Sequence, residues 1–293
     1  MLLFAYVLSS GLTSGALYAL MAVGLVLCYR TTGHINFAHS ELFMLGGFFA
    51  FTLHVMWGLP YIASLIGAVI ATFFLGVLTD RTVYRPLIKA PPLSMVLATV
   101  GFSFLLKGIG RFLWGGQGEF VPFPPLVSPA PIMVAGVPMF PQQLVVLGGA
   151  LLCMLVLTLF FRYSRAGKTM QATAEEPRAA YLVGIRVEWV YTMTWGFSAA
   201  LAGFAAVLMA PLTQLTPDVG FILLLKAFAA TILGGLGSMP GAIVGGFLVG
   251  IIESLSGGYI SAAFQDVSAF VIIMVVLVLC PSGLFGVRGA REV

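Results

Sequence analysis

Residues 15–48 read GALYALMAVGLVLCYRTTGHINFAHSELFMLGGF, and the fold turns on what this stretch does in its middle. An apolar run ends near Cys28, the segment TTGHINFAHSE at 31–41 brings two histidines, an asparagine and a glutamate, and a second apolar run then begins. In water such a break is an ordinary loop. In a bilayer its freed backbone groups find no solvent, so it is tolerated only where protein or a polar cavity surrounds it. The rest of the chain decides which solvent applies.

The 293 residues are 60% apolar and 8% charged, with a mean hydropathy of +1.08. A soluble domain would be about 25% charged, so composition excludes one. Apolar runs close to the roughly 20 residues needed to cross hydrocarbon recur from end to end, at about 3–28, 41–57, 59–79, 93–114, 141–161, 190–212, 219–236, 240–256 and 266–281. The first run is too long for a signal peptide and lacks a cleavage pattern, so it reads as a retained span. The expectation is an all-α polytopic membrane protein, a single transmembrane domain over 1–293 with about eight to ten transmembrane helices. The 35 glycines suit helices whose backbones approach closely in lipid. Cys28, Cys153 and Cys280 show no metal or redox spacing and read as packing residues.

Segments 41–57 and 240–256 are short, and each follows an interruption, TTGHINFAHSE and GGLGSMP. Broken or re-entrant helices are expected at both. Their similar positions in the two halves suit an inverted repeat, although no residue-level repeat accompanies them.

Charge sets the orientation. With the amino terminus outside, Arg30, Arg81, Arg85, Lys89, Arg162, Arg165, Lys168, Arg178, Arg186, Arg288 and Arg291 all fall on the inner side. That is the positive-inside pattern, and it accounts for the net charge of +4 without nucleic acid. The outer connection 115–140, rich in Pro and Gly, is expected to be irregular, with a short surface helix.

The inner connection 162–189 is the charged part of the chain. Within it, QATAEEPRAAYLVGI places Pro177 at a helix start, Glu175 and Glu176 at its positive end, and Ala179, Ala180 and Gly184 on one narrow face. Such a helix could seat in another protein's cleft, its charges fixing register; an ordinary polar loop has the same composition.

Other residues carry candidate chemistry. In the break, His34, His39 and Glu41 are spaced by five and two rather than the three or four of ligands on one helical face, which disfavours a metal site. Asn36, with His39 and Glu41, could line a transport path, or these side chains could simply satisfy freed backbone. Lys226 lies inside an apolar segment, where an unpaired ammonium costs roughly 2.5 to 3.5 kcal/mol. Glu253 is its expected partner, ahead of Asp218. A structural pair is preferred over contact with a substrate carboxylate, and snorkelling is the further alternative. Lys107 and Arg111 share a helix face and are expected to snorkel. Gly234, Gly235 and Gly237 permit close crossing or unwound backbone beside a path; no Lys-Ser/Thr follows them, so they are not a phosphate loop. No catalytic set and no Walker motif can be assembled, so the chain reads as a transport subunit rather than an enzyme.

These stretches resemble a known family. RAAYLVG at 178–184 is similar to the E-A-A-x3-G coupling helix of ABC-importer permeases, with Arg178 in place of the glutamate. Residues 15–48, KAFAATILGGLGSMPGAIVGGFLVGIIE at 226–253 and PSGLFG at 281–286 resemble the permeases of branched-chain amino acid importers, LivH type. The resemblance implies a permease subunit of an ATP-driven importer in the bacterial inner membrane, forming the path for leucine, isoleucine and valine. It implies a second homologous permease, two cytoplasmic ABC ATPases and an extracytoplasmic binding protein as partners. It places Glu175, Glu176, Arg178, Ala179, Ala180 and Gly184 in the coupling helix, and ATP and Mg on the ATPases, with no cofactor in this chain. Urea or short-amide permeases of the same wider family, and a self-sufficient secondary transporter or channel, stay open as alternatives.

The charge asymmetry yields a direct test. A single cysteine at position 125 in a cysteine-free background is expected to react with an impermeant reagent in intact cells. Reaction only after the membrane is opened overturns this orientation.

Overall fold

A computed structural model describes residues 2–88, 90–115, 121–128, 130–134, 136–280 and 282–286. Lys89, Arg288 and Arg291, used in the charge asymmetry, and Pro281 lie outside these residues. Twelve helices are described: α1 (Leu2–Thr32), α2 (His39–Phe51), α3 (Tyr61–Thr79), α4 (Arg85–Leu87), α5 (Pro92–Trp114), α6 (Pro141–Tyr163), α7 (Arg165–Glu175), α8 (Pro177–Leu182), α9 (Val187–Met209), α10 (Val219–Gly234), α11 (Met239–Tyr259) and α12 (Ala262–Leu279). Single π-helical turns extend α2 over Thr52–Met56 and join α3 to α4 over Asp80–Tyr84.

Each apolar segment of the sequence falls on a helix. Six described helices are long and apolar enough to cross a membrane, while α10 and the apolar part of α12 are shorter. The 13 residues of α2 and the five of the π-helical turn that extends it form a continuous 18-residue element, near the low end of the roughly 17 to 25 residues that cross the hydrocarbon core. The polar interruption before α2 begins where the Thr31 and Thr32 hydroxyls donate back to the Leu27 and Cys28 carbonyls. Gly33, at φ +74°, then turns the chain out of the helix.

The outer connection departs from expectation. Among its described residues it contains, instead of a surface helix, an antiparallel hairpin, β1 (Ile132–Val134) with β2 (Val137–Met139). Apolar, β-branched residues flank Gly136 at φ +78°, which is strand–turn–strand chemistry.

The chain divides into two compact units. In the first, which contains most of α1 together with α11 and α12, glycines set the packing. A Cβ on Gly11 would stand 2.9 Å from the Ile251 Cα, and one on Gly15 would stand 2.8 Å from the Phe247 Cα. From the other side, Gly246 meets Ala19 and Gly250 meets the backbone of Gly15. Small residues four apart on α1 thus lie against small residues four apart on α11, the pattern that lets helices approach where lipid supplies no hydrophobic push. In the same unit α10 and α11 form a tight hairpin, Gly234 against Gly241 and Gly245 against the Ala230 carbonyl.

In the second unit α9 is the centre, packed along α2 and α3. Gly46 of α2 lies against Gly203 of α9, Gly203 also meets Thr72 of α3, and Gly76 of α3 lies against the Trp195 carbonyl and Ala199. At one end, buried Cys28, Tyr84, Met95 and Trp195 form an apolar cluster.

Because the contacts at Gly250 are to backbone, they cannot relax by a rotamer change. Gly250→Val is expected to cost about 1 to 3 kcal/mol or more, read as a lower unfolding temperature and yield in detergent. Gly101→Ala, where nothing lies within 4 Å, is expected to be neutral or slightly stabilising.

Candidate functional site

The charged connection is two short helices at an elbow. Ser164 caps α7, its hydroxyl accepting the Gly167 N–H at 2.8 Å, and α7 buries Gly167, Met170 and Thr173. Glu175 ends α7 and pairs with Arg30 at 3.7 Å. Glu176 then breaks the helix and caps the next one, its carboxylate accepting the Arg178 N–H at 3.3 Å, with Pro177 as the first residue of α8.

Gly184 closes α8 in the left-handed region, at φ +87°. There its N–H reaches the Tyr181 carbonyl and the Ile185 N–H reaches the Ala180 carbonyl, each at 3.0 Å.

The expected small-residue face is split: Ala180 points into the protein and is only 4% exposed, while Gly184, which closes the helix, is exposed. Ala179 is exposed. What the connection presents is apolar and bulky: Tyr181, Leu182 and Val183 are 72%, 84% and 77% exposed. An open groove of about 470 Å³ runs between Pro177, Arg178, Tyr181, Leu182 and Val187. This exposed set is apolar, framed by charges, and lies outside the span-length helices.

Within the polar break before α2, Asn36, His39, Ser40 and Glu41 are buried while Gly33 is exposed. Asn36 accepts the Ala38 N–H on its side-chain oxygen at 3.0 Å, and its Nδ2 is buried with no hydrogen-bond partner among the described residues. His39 is fully buried, with Nδ1 3.4 Å from the Ser198 hydroxyl of α9. Glu41 is also buried and accepts a 2.5 Å hydrogen bond from Ser40. His34 turns elsewhere, its Nδ1 2.7 Å from the Thr32 carbonyl. Among the described residues no group of three or more His, Cys, Asp or Glu is placed to hold a metal.

In the first unit, Lys226 Nζ lies 2.6 Å from Glu253 Oε1, with side-chain exposures of 12% and 3%. Gln265 donates to the same oxygen at 3.3 Å, and the Tyr18 ring centroid is 5.8 Å from the ammonium. Sequence reasoning named the pair but missed Gln265, whose signal is a lone amide in the apolar α12. Gly234 and Gly235 are taken up in closing α10. Gly235 sits at φ +102°, and Leu284 and Phe285 donate their N–H groups to the Leu233 and Gly234 carbonyls at 2.8 and 3.0 Å. Gly237 has open space around it.

Asp218 is not held by Lys226. Lys107 and Arg111, expected to snorkel, both reach it, at 2.9 and 3.0 Å. The hydrogen bond from Lys107 is the main reason that its carboxyl is held below its ordinary value, with the two positive charges adding to the effect. The missed signal was the acidic residue just before α10, facing two unpaired cations.

A sequence profile described as the permease component of the branched-chain amino acid transport system matches residues 7–280, and the chain belongs to that family. It is 34% identical to the high-affinity branched-chain amino acid transport system permease protein LivH of Salmonella typhimurium, over 94% of each chain. It is 34% identical to the permease protein BraD of the corresponding system in Pseudomonas aeruginosa, over 95% of this chain and 94% of that one. Its fold is similar to PsaBC from Streptococcus pneumoniae, solved in complex with Fab, with a TM-score of 0.50 and 13% identity over 93% of this chain and 91% of the other. The chain is thus a multi-pass membrane transport component and not an enzyme.

Two outcomes follow from the ion pairs. Lys226→Met should cost about 3 to 5 kcal/mol by stranding Glu253, and Lys226→Met with Glu253→Gln should recover part of that loss, read as unfolding temperature and assembly. Purely additive losses would separate the two residues. Asp218, with its pKa lowered by folding, contributes stability above the ordinary carboxyl value of 3.8 that is lost as pH falls through the lowered one. The difference in unfolding temperature between Asp218→Asn and the unmodified protein should therefore be steady near neutral pH and vanish in strong acid.

Proposed function

We propose that this chain forms the membrane path of an ATP-driven importer of leucine, isoleucine and valine in a bacterial inner membrane. In this reading it works beside a second homologous permease. Two cytoplasmic ATPases bind ATP and Mg, and an extracytoplasmic binding protein delivers substrate. The substrate class rests on the names of its relatives. The observation that carries the mechanism is the exposed trio Tyr181, Leu182 and Val183, framed by Arg178 and the acidic elbow of Glu175 and Glu176.

A membrane domain without nucleotide chemistry has to receive work mechanically. The elbow supplies a rigid protrusion for this, its helix ends capped by Ser164, Glu176 and Gly184. The trio fills a cleft of the ATPase, and Arg178 contributes to the polar rim that steers docking. Asn36, His39 and Glu41 are the path residues of the second unit, and the uncommitted amide of Asn36 is the group most available to a passing polar substrate. In the first unit Lys226 and Glu253 lock α10 to α11. The pairing of Lys226 with Glu253 neutralises the carboxylate's charge, which weighs against a self-sufficient ion-coupled carrier.

The test uses the assembled transporter. Leu182→Glu should lower ATPase co-purification by about tenfold or more, as loss of a central apolar anchor does, with permease insertion unchanged. Arg178→Glu should act more mildly and depend on salt. If Leu182→Glu keeps its ATPases and moves leucine at the unmodified rate, α8 is not the dock. Competition of leucine uptake by valine and isoleucine but not by urea checks the substrate class.

A further inference from the structure

The docking helix is followed at once by α9, and the first turns of α9 are fastened to α3 by a buried polar clasp. Asp80, fully buried at the π-helical turn that ends α3, accepts a hydrogen bond from the Thr192 hydroxyl of α9 at 2.7 Å. Arg85 of α4 donates to the same hydroxyl at 2.6 Å, and its guanidinium is 3.4 Å from the Asp80 carboxylate. It also reaches the backbone carbonyl of Glu188 at 3.3 Å and the Glu188 carboxylate at 3.8 Å. One arginine and one threonine therefore tie the entry of α9 to the end of α3.

We propose that Asp80, Arg85 and Thr192 form the relay that carries movement of the docking helix into the α3–α9 pair, making Thr192 and Arg85 positioning residues for coupled transport. This rests on the reading of α8 as the dock.

The argument is mechanical. Beyond the clasp α3 and α9 are locked along their length, Gly76 against Trp195 and Ala199, Phe73 against Gly196, and Thr72 against Gly203. Helices this close move as one body. The connection between α8 and α9 lacks that close packing; without the clasp its displacement would be absorbed by fraying the first turn of α9. With it, a push on α8 reaches α3 through charge-assisted hydrogen bonds, which are stronger than neutral ones. The pair then bears on α2, whose Gly46 lies against Gly203 and whose His39 meets Ser198. A π-helical turn at the clasp fits the recurrence of such turns at functional sites.

The complete transporter in proteoliposomes is the sample, and leucine moved per ATP hydrolysed is the readout. Thr192→Val keeps the volume of the side chain and removes the hydroxyl. It is expected to retain its ATPases and their hydrolysis while leucine moved per ATP falls about fivefold or more. Thr192→Ser, which restores the hydroxyl, should return the ratio to near the unmodified value. An unchanged ratio in Thr192→Val overturns the relay, and so does an equal fall in Thr192→Ser. Loss of the ATPases from Thr192→Val also overturns it, because the clasp would then belong to the seat itself. Failure of the docking reading shows separately, as ATPases retained by Leu182→Glu.

Discussion

Lipid offers no hydrogen bonds and no hydrophobic reward for bringing two apolar helices together, and this double absence shapes every part of the molecule. Without a hydrophobic push, helices are held by van der Waals contact and therefore need close backbones. Glycine supplies them. The α1–α11 contact of the first unit and the α2–α3–α9 core of the second are both lines of glycine and alanine meeting backbone. On the outside, Leu93, Leu97, Phe104 and Phe112 of α5 are exposed apolar residues where a soluble protein would carry charge.

The absence of hydrogen-bonding solvent governs the polar groups. Lys226, Glu253 and Gln265 meet in one cluster, and Asp80, Arg85 and Thr192 meet in another. Removing one member strands the rest in a medium that cannot solvate them. Serine and threonine hydroxyls turn back to the carbonyl four residues earlier, as Thr72 does to Ala68 and Thr231 to Ala227. In the connection between α6 and α9, charges such as Glu175 are exposed, and the apolar side chains of Tyr181, Leu182 and Val183 stand uncovered.

Much of the architecture was legible because hydrocarbon thickness imposes a length on apolar runs, and every run drawn from the sequence falls on a helix. Lys226 and Glu253 were legible for a related reason: so few charges lie inside spans that each candidate partner can be named. Pairings that need three-dimensional register were not. Asp218 is separated from Lys107 and Arg111 by more than a hundred residues, and only the fold brings the loop before α10 to the end of α5. The direction of Ala180 was equally hidden. In a helix of six residues no hydrophobic period is long enough to show which side faces in, so the burial of Ala180 beside exposed Ala179 has no signature in the sequence. Asn36, His39 and Glu41 stood out in the sequence as polar residues between apolar runs, but their burial, and the Asn36 Nδ2 left without a partner among the described residues, have no sequence signature.

The closing residues have a bearing on how the chain is made. The last carbonyls of α10, at Leu233 and Gly234, receive their hydrogen bonds from Leu284 and Phe285, residues synthesised only after α11 and α12. During synthesis α10 and α11 therefore enter the membrane with a helix end that nothing later in those two helices can finish. The first unit reaches this hydrogen bonding only once Leu284 and Phe285 have been made. A chain interrupted before Ser282 would carry α1 to α12 and still leave the Leu233 and Gly234 carbonyls without these two partners.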